Sequence, residues 1–303
     1  MNDIFLTGGA GFVGGHILAR LLESGRRVRC LVKPGSEAKL KQETACFGDQ
    51  MTIVSGDVRD PARWRQGLQG CEAVIHLVGI IREIPARDVT FERLHVEATR
   101  HVLEAAREAG VGRVVHMSAL GARAHARARY HQTKFAAEEL VRASGLTHVI
   151  FRPSIIFGPE DEFVNLLARL IHKKVPVPVI GPGNNRLQPV AVENVAHAFV
   201  DALSRSEADN RTFEICGPQP YSLNDLIDAI ARAKGLPQPL KIHIPLALVE
   251  PAVWALQNLS FFPVTSDQLL MLMEDNVCDA EAFRKTFGIE LTDFEAGIAR
   301  YLK

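Results

Sequence analysis

The sequence predicts an α/β protein built on a doubly wound parallel sheet, with a smaller, mostly helical carboxyl-terminal lobe. Three observations carry that reading. From Asp3 to Phe151, short apolar or β-branched runs alternate with amphipathic stretches of helical period, the pattern of repeated strand-helix-strand units. A glycine cluster, Gly8 to Gly14, stands between the first run and the first helix. Beyond Arg152 the composition changes: Pro153, Pro159, Pro176, Pro178 and Pro182 accumulate, and strand-like runs become sparse.

Taken in order, strands are expected at Asp3–Thr7, Val28–Val32, Met51–Val54, Ala73–Val78, Arg113–Met117 and Thr147–Phe151. Helices are expected at Gly11–Ser24, Phe91–Ala109 and His131–Ala143; Gly25 and Gly110 follow two of them, where a left-handed residue ends a helix. The second lobe should hold helices at about 161–173, 192–204, 222–234, 246–258, 266–274 and 291–301. Arg211–Ile215 reads as a late strand that rejoins the large sheet, so the lobes interleave. Residues 1–155 with about 186–218 would form the large domain, and about 156–185 with 219–303 the small one. The most apolar stretch, Pro245 to Val264, is interrupted by Glu250, Pro251, Gln257 and Asn258 and is too broken to span a bilayer. It is expected in the small-lobe core, with a membrane or quinone contact as the other reading.

At 303 residues the chain can bury a large core. Its 35 Lys and Arg balance 35 Asp and Glu, which excludes a bulk electrostatic pull toward nucleic acid or an anionic membrane; any anion site must be local. The five cysteines, at 30, 46, 71, 216 and 278, are odd in number and widely spaced. They show neither C-x-x-C nor zinc spacing, so neither a structural disulfide nor a metal site is expected. The opening Met-Asn-Asp enters a strand at once without a basic leader or cleavage site, and the cytoplasm is the expected compartment.

The first strand runs into Gly8-Gly9-Ala10-Gly11-Phe12-Val13-Gly14 and then a helix, satisfying both G-x-G-x-x-G and GxxGxxG. Glycines permit the tight turn and a close approach of backbone to a pyrophosphate, and the helix amino terminus offers unpaired N–H groups and a positive dipole end. A Rossmann-type site for a nicotinamide dinucleotide follows. NAD-preferring sites place an acid about 20 residues on, at the end of the second strand. Here the strand ends Val28-Arg29-Cys30-Leu31-Val32-Lys33-Pro34. A cation suits a 2′-phosphate, so NADP(H) is expected over NAD(H), with Lys33 the main contact and Arg29 a lesser one.

Strand Arg113–Met117 delivers Ser118 at its carboxyl end, where open α/β sheets bind ligands, and Tyr130-His131-Gln132-Thr133-Lys134 opens the next helix. Tyr130 and Lys134 share a helix face. An adjacent ammonium would favour the phenolate and bring a group of reference pKa about 10 into a useful range for proton transfer. Ser118 would hydrogen-bond a substrate oxygen, and Lys134 would also hold the nicotinamide ribose. Y-x-x-x-K is common by chance; its position after this strand gives it weight.

Together the glycine loop, Gly56-Asp57-Val58, His76-Leu77-Val78-Gly79, Ser118, Tyr130 with Lys134, and Arg152-Pro153-Ser154 resemble the short-chain dehydrogenase/reductase superfamily in order and spacing. The resemblance covers essentially the whole chain, and the length fits the extended branch. It implies that Asp57 and Val58 flank the adenine, that Leu77, Val78 and Gly79 line the path to the nicotinamide ribose, and that Pro153 and Ser154 approach the carboxamide. A narrower match, Arg152 to Asn165 followed by Arg186-Leu187-Gln188-Pro189-Val190 and Val192-Glu193-Asn194-Val195-Ala196, is similar to the atypical group related to the nucleotide-binding accessory subunit of respiratory complex I. Several members of that group bind nucleotide for structural reasons.

One departure stands out: His95-Val96-Glu97-Ala98-Thr99 occupies the place of the family's N-V-x-G-T, so the fourth catalytic residue is missing or replaced. His95 is either a proton relay or a core histidine. The arginine-rich loop from Gly121 to Arg129 is either an attraction for an anionic substrate or solvated charge. Two functions are open at this point. One is an NADP(H)-dependent oxidoreductase, epimerase or dehydratase acting on a small-molecule substrate, with Tyr130 as acid and base. The other is a nucleotide-binding structural or assembly factor with a protein-complex partner. A homodimer is compatible with both, and no nucleic-acid partner is expected without a basic face.

Overall fold

A computed structural model describes residues 3–257, 262 and 264–302. In chain order the strands are β1 (Asp3–Thr7), β2 (Val28–Val32), β3 (Met51–Ser55), β4 (Cys71–His76), β5 (Arg113–Met117), β6 (Thr147–Pro153), β7 (Ile156–Phe157), β8 (Val177–Ile180), β9 (Arg186–Leu187), β10 (Val190–Ala191), β11 (Arg211–Ile215), β12 (Tyr221–Ser222) and β13 (Lys241–Ile244). The helices are α1 (Phe12–Glu23), α2 (Glu37–Glu43), α3 (Ala98–Glu108), α4 (Arg129–Ala143), α5 (Phe163–Leu170), α6 (Val192–Asp201), α7 (Leu223–Ala233), α8 (Leu246–Leu256), α9 (Ser266–Leu272), α10 (Glu281–Phe287) and α11 (Phe294–Ile298).

Seven strands form one sheet in the order β11-β6-β5-β4-β1-β2-β3, with every pair parallel. The chain steps outward from β1 through β2 to β3 on one side and from β4 through β5 to β6 on the other, so the order reverses between β1 and β4. Ligand crevices in open α/β sheets lie outside the carboxyl ends of the strands at such a reversal. The glycine loop leaves β1 there, and Leu77 to Gly79 leave β4 there.

Strand alternation divides the large core into two layers. Ile4, Leu6, Ile75 and Val115 lie beneath α1 and α6, while Phe5, Val74, Val114 and Ile150 lie beneath α3 and α4. Each such side chain contributes about 1.5–3 kcal/mol when fully buried, and all eight are at most 1% exposed. Phe283 and Phe287 of α10 close the β11 edge against Phe151 and Phe213, with Phe213 and Phe287 ring centroids 5.2 Å apart. A separate core holds the small lobe, centred on Val164, Leu226, Ile230 and Phe294. Its strands are no more than pairs, β10 with β7, β12 with β9 and β13 with β8.

Several expectations need correction. The helix foreseen over Phe91–Ala109 is not uniform: Glu92–Glu97 is wound as a π-helix before α3 begins, and this wider turn carries His95. Leu77 and Val78 lie past the end of β4, not within it. The stretch 245–264 is not small-lobe core. Within α8 only Val253 is buried, and the helix meets the protein along one seam of Leu246, Val249, Val253 and Gln257; Leu248 is 69% and Trp254 76% exposed. Residues 258–261 and 263 of that stretch lie outside the described residues.

The cysteine expectation is also overturned. Cys216, just past β11, and Cys278, beyond α9, form a disulfide across 62 residues with Cα atoms 6.1 Å apart. Parity and spacing gave no hint of it, because the pairing partners are brought together only when the carboxyl-terminal segment returns to the sheet edge. Closing a loop of this length stabilises by about 4 kcal/mol on chain-entropy grounds. Unreduced protein should therefore expose three thiols to alkylation after denaturation, and excess dithiol should lower the melting temperature by several degrees; five reactive thiols and an unchanged Tm after air oxidation would contradict the pairing.

Candidate active site

The glycine loop is shaped by contacts that no side chain could share. Gly8 adopts φ +78°, a left-handed conformation that glycine tolerates without steric cost. A Cβ on Gly14 would strike the Gly8 carbonyl oxygen, and one on Gly9 the Cys30 sulfur. The turn closes with Gly11 N–H donating to the Gly8 carbonyl at 3.1 Å. Helix α1 then starts at Phe12 with no side-chain cap and no acid in its first turn. Its first amides have no partner within the helix, and Ala10 and Gly11 at its mouth are exposed. The loop thus fits a diphosphate. Phe12 and Val13, both half-buried, connect it to the small lobe, since a Cβ on Gly158 would come within 3.0 Å of the Phe12 ring.

On the other side of the reversal, Lys33 is exposed just past β2. Arg29 does not join it, which corrects the expectation: its Nε donates to Asp3 at 2.6 Å and its Nη1 to the carbonyl oxygens of Gly67 and Gln69. Arg29 sits mid-strand opposite Phe5, one side chain out of phase with the rim. Instead the fold brings Glu37 to the end of β3, where its carboxylate accepts from the Ser55 hydroxyl at 2.6 Å and the Gly35 N–H at 2.7 Å. Those bonds hold it below the ordinary carboxylate range. Arg59 grips Asp57 at 2.7 and 2.9 Å and draws its pKa down to about 2. Val58 beside it is buried.

Past the ends of β4 and β5, Lys134 is only 3% exposed. Its Nζ donates to the Met117 carbonyl at 3.0 Å and lies 2.8 Å from where a Cβ on Gly79 would stand. Gly79 therefore has to be bare for the ammonium to reach the strand ends. Desolvation lowers the Lys134 pKa to about 8 against the opposing pull of Glu138. Tyr130, half-buried one helical turn earlier, packs edge-on against His95 and Phe91 at 5.4 and 5.9 Å. Burial pushes its hydroxyl up to about 12. The expected lowering by the neighbouring ammonium does not appear: burial alone sets the shift, and at neutral pH Tyr130 is a phenol.

Ser118 is oriented by a residue that sequence reading missed. Its hydroxyl donates at 2.5 Å to Glu138, a carboxylate with no solvent exposure. Arg152 grips Glu138 with two bonds of 2.7 Å and Arg142 adds a third of 2.7 Å. Burial pushes the Glu138 pKa up, but the bonds from Arg152, Ser118 and Arg142 together carry it below its ordinary value. The sequence reading assigns Glu138 no role. The available signal was its spacing of four from Lys134, which puts both on the face that meets the sheet.

The remaining residues settle individually. His95 is buried, with Nδ1 2.9 Å from the Thr133 hydroxyl and Nε2 3.1 Å from both the N and O of Ile80, and desolvation keeps it neutral. It is a satisfied core histidine that fixes the chain just after Gly79. Pro153 and Ser154 are buried, and the Ser154 hydroxyl donates to the Gln188 carbonyl at 2.5 Å. Leu77 is buried and Val78 half-buried along the crevice wall. Two of the three arginines in the 121–129 loop are paired, Arg123 with Glu274 and Arg129 with Glu83, so its pull on an anion is largely cancelled.

The sequence profile of the NAD dependent epimerase/dehydratase family matches residues 4–216. Over 305 residues the chain is 27% identical to the NADH-ubiquinone oxidoreductase 40 kDa subunit, mitochondrial, of Neurospora crassa, covering 98% of this chain and 77% of that protein. It is 31% identical over 198 residues to a ceramide reductase of Caulobacter vibrioides, covering 65% of this chain and 59% of that one. In architecture it is similar to a UDP-glucose 4-epimerase of Thermotoga maritima solved with UDP-glucose, at TM-score 0.75 and 20% identity, over 99% of this chain and 98% of that one. The profile spans the sheet from β1 to the end of β11 and takes in both sides of the crevice, and on that ground the chain belongs to the NAD dependent epimerase/dehydratase family.

Proposed function

We propose that the protein is an NADP(H)-dependent reductase of a carbonyl-bearing small molecule, acting through Tyr130, Lys134 and Ser118. The observation that carries this reading is a buried, incompletely partnered ammonium at the β1/β4 reversal, one helical turn from a protonated tyrosine. Gly8, Gly9, Ala10, Gly11, Phe12, Val13 and Gly14 would hold the pyrophosphate. Lys33 would meet the 2′-phosphate, Asp57 and Val58 the adenine, Leu77, Val78 and Gly79 the ribose path, and Pro153 and Ser154 the carboxamide. A bound nicotinamide supplies hydride to the carbonyl carbon.

Tyr130 as a phenol is a proton donor, which suits reduction: it gives its proton to the oxygen as negative charge builds there. Lys134, charged below about pH 8, offsets the phenolate left behind and would hold the ribose hydroxyls. Because the Ser118 proton is committed to Glu138, Ser118 offers a lone pair to the site and would accept a hydrogen bond from the alcohol product. Reduction also agrees with the activity named for the Caulobacter relative. A cytoplasmic location belongs to the same proposal, and there the Cys216–Cys278 pair would stand as a dithiol.

A second reading, a non-catalytic nucleotide-binding structural or assembly factor, is favoured by the near full-length likeness to the Neurospora oxidoreductase subunit and by the absence of Asn at position 95.

Three outcomes are expected. NADPH should bind at least about tenfold more tightly than NADH by fluorescence titration, as one charge-assisted contact provides, and Lys33→Ala should erase most of that difference. Equal or tighter NADH binding would remove the NADP(H) assignment. Tyr130→Phe should slow NADPH oxidation with any ketone found by screening about 10²- to 10⁴-fold while the nucleotide Kd stays within error; if no ketone is turned over, the structural reading gains. Glu138→Gln leaves two arginines facing a neutral amide and should destabilise by about 3–5 kcal/mol in denaturant. With its folded pKa below the ordinary 4.5, Glu138 contributes fully above that pH and loses its contribution as pH falls through the folded value; a Gln variant with wild-type acid stability would contradict the network.

A further inference from the structure

The small lobe carries an exposed apolar face that none of the described residues covers. Leu170 at the end of α5 is 38% exposed, Val175 50%, Leu240 69% and Ile242 52%. Val175, Leu240 and Ile242 are brought to one edge, because Val177 N–H donates to the Leu240 carbonyl at 2.8 Å and β13 pairs in register with β8. Through Pro245 the chain passes directly into α8, which adds Leu248 and Trp254. Monomeric proteins seldom leave contiguous apolar patches of this kind in water. Among the eleven residues of α8, Glu250 is the single charge, and a helix apolar around most of its girth belongs in a core or against hydrocarbon.

The electrostatics of this face decide between occupants. Arg169, Lys173 and Lys174 are exposed between the apolar residues, and none takes part in an ion pair among the described residues. From Phe163 to Ile180 the sequence has no carboxylate at all, in a chain whose formal charge is zero. Exposed cations flanking Leu170 and Val175, on a lobe that also exposes Leu248 and Trp254, match an anionic lipid surface, where Trp seats at the headgroup level and cations meet phosphate. No helix among the described residues is long and apolar enough to cross a membrane.

We propose that this face docks the protein peripherally on an anionic bilayer, with α8 lying in the interface and Lys173 and Lys174 against the headgroups. Arg82 links docking to the crevice: it donates to the carbonyl oxygens of Gln257 and Phe262 at 2.9 and 2.6 Å, tying the loop after Gly79 to the end of α8. The rim of the crevice, with Ile81 and Ile84 exposed at 46% and 42%, would then open beside the membrane. The inference stands whether or not the site turns over.

The test uses the full chain and vesicles of phosphatidylcholine with or without phosphatidylglycerol. The protein should sediment with the anionic vesicles and be released by salt. Lys173→Gln with Lys174→Gln should weaken partitioning about 25-fold, about fivefold per cation, and Leu248→Ala with Trp254→Ala about tenfold or more. Trp64 is 1% and Trp254 76% exposed, so emission should shift to the blue on docking and Trp254→Phe should abolish the shift while sedimentation persists. Three results would each overturn the proposal: no sedimentation with anionic vesicles, binding indifferent to lipid charge and salt, or lipid-free dimerisation that Trp254→Ala abolishes, which would assign the face to a second copy of the chain.

Discussion

Helix α1 reaches the end of β1 because Gly14 presents no side chain to the Gly8 carbonyl oxygen. With any Cβ there the helix would back away, and two consequences would follow together. Its unpaired amides would leave the crevice, and Ile17 and Leu21, which are fully buried, would lose their seat on β1 and β2. The same steric economy recurs across the reversal, where Gly79 leaves room for the Lys134 ammonium. Both walls of the crevice are set by backbone approaching something closely, and the chemistry hangs on the space this creates.

Within that space the buried charges are compensated unequally. Glu138 has three donors and is held ionised. Lys134, one turn away and nearly as buried, donates to the Met117 carbonyl, and burial lowers its pKa to about 8. Transfer of a charge out of water costs several kcal/mol unless partners replace the lost hydration. The Glu138 network meets that requirement and reads as architecture. Lys134 meets it only partly, and an ionisable group kept in that state at a strand-end crevice has the character of a functional group.

The sheet and the glycine turn between β1 and α1 were legible because each is written in local pattern: period-two runs, helical spacing and glycines between them. The six amino-terminal strands and β11 lie within a few residues of where the sequence puts them. What stayed hidden depends on contacts far apart in sequence. Arg29 looks like a rim cation until Asp3 and the carbonyls of Gly67 and Gln69 are seen around it. Glu37 reaches the end of β3 through Ser55. Cys216 finds Cys278 only after α9 crosses back, and the apolar run of α8 is indistinguishable from core until its exposure is known. The π-helical turn at Glu92–Glu97 is hidden for another reason, since hydrophobic spacing hardly separates it from an α-helix.

The two proposed functions ask different things of the same residues. A scaffold that binds nucleotide needs the glycine loop and a stable sheet; it gains nothing from an under-partnered lysine, which an apolar side chain of similar volume would replace at no loss or with a gain in stability. The Ser118 hydrogen bond to Glu138 looks at first like the opposite evidence, because it withdraws a donor from the site. It withdraws only a donor, however. A hydroxyl that has given its proton to a fixed carboxylate is a better acceptor, since hydrogen bonds in a chain polarise one another. Under the reductase proposal, with Tyr130 as phenol and Ser118 as acceptor, one group would give a proton to a nascent alkoxide and the other would receive a bond from the alcohol it becomes. That division of roles requires Glu138 to stay ionised, which is what the arginine pair around it accomplishes.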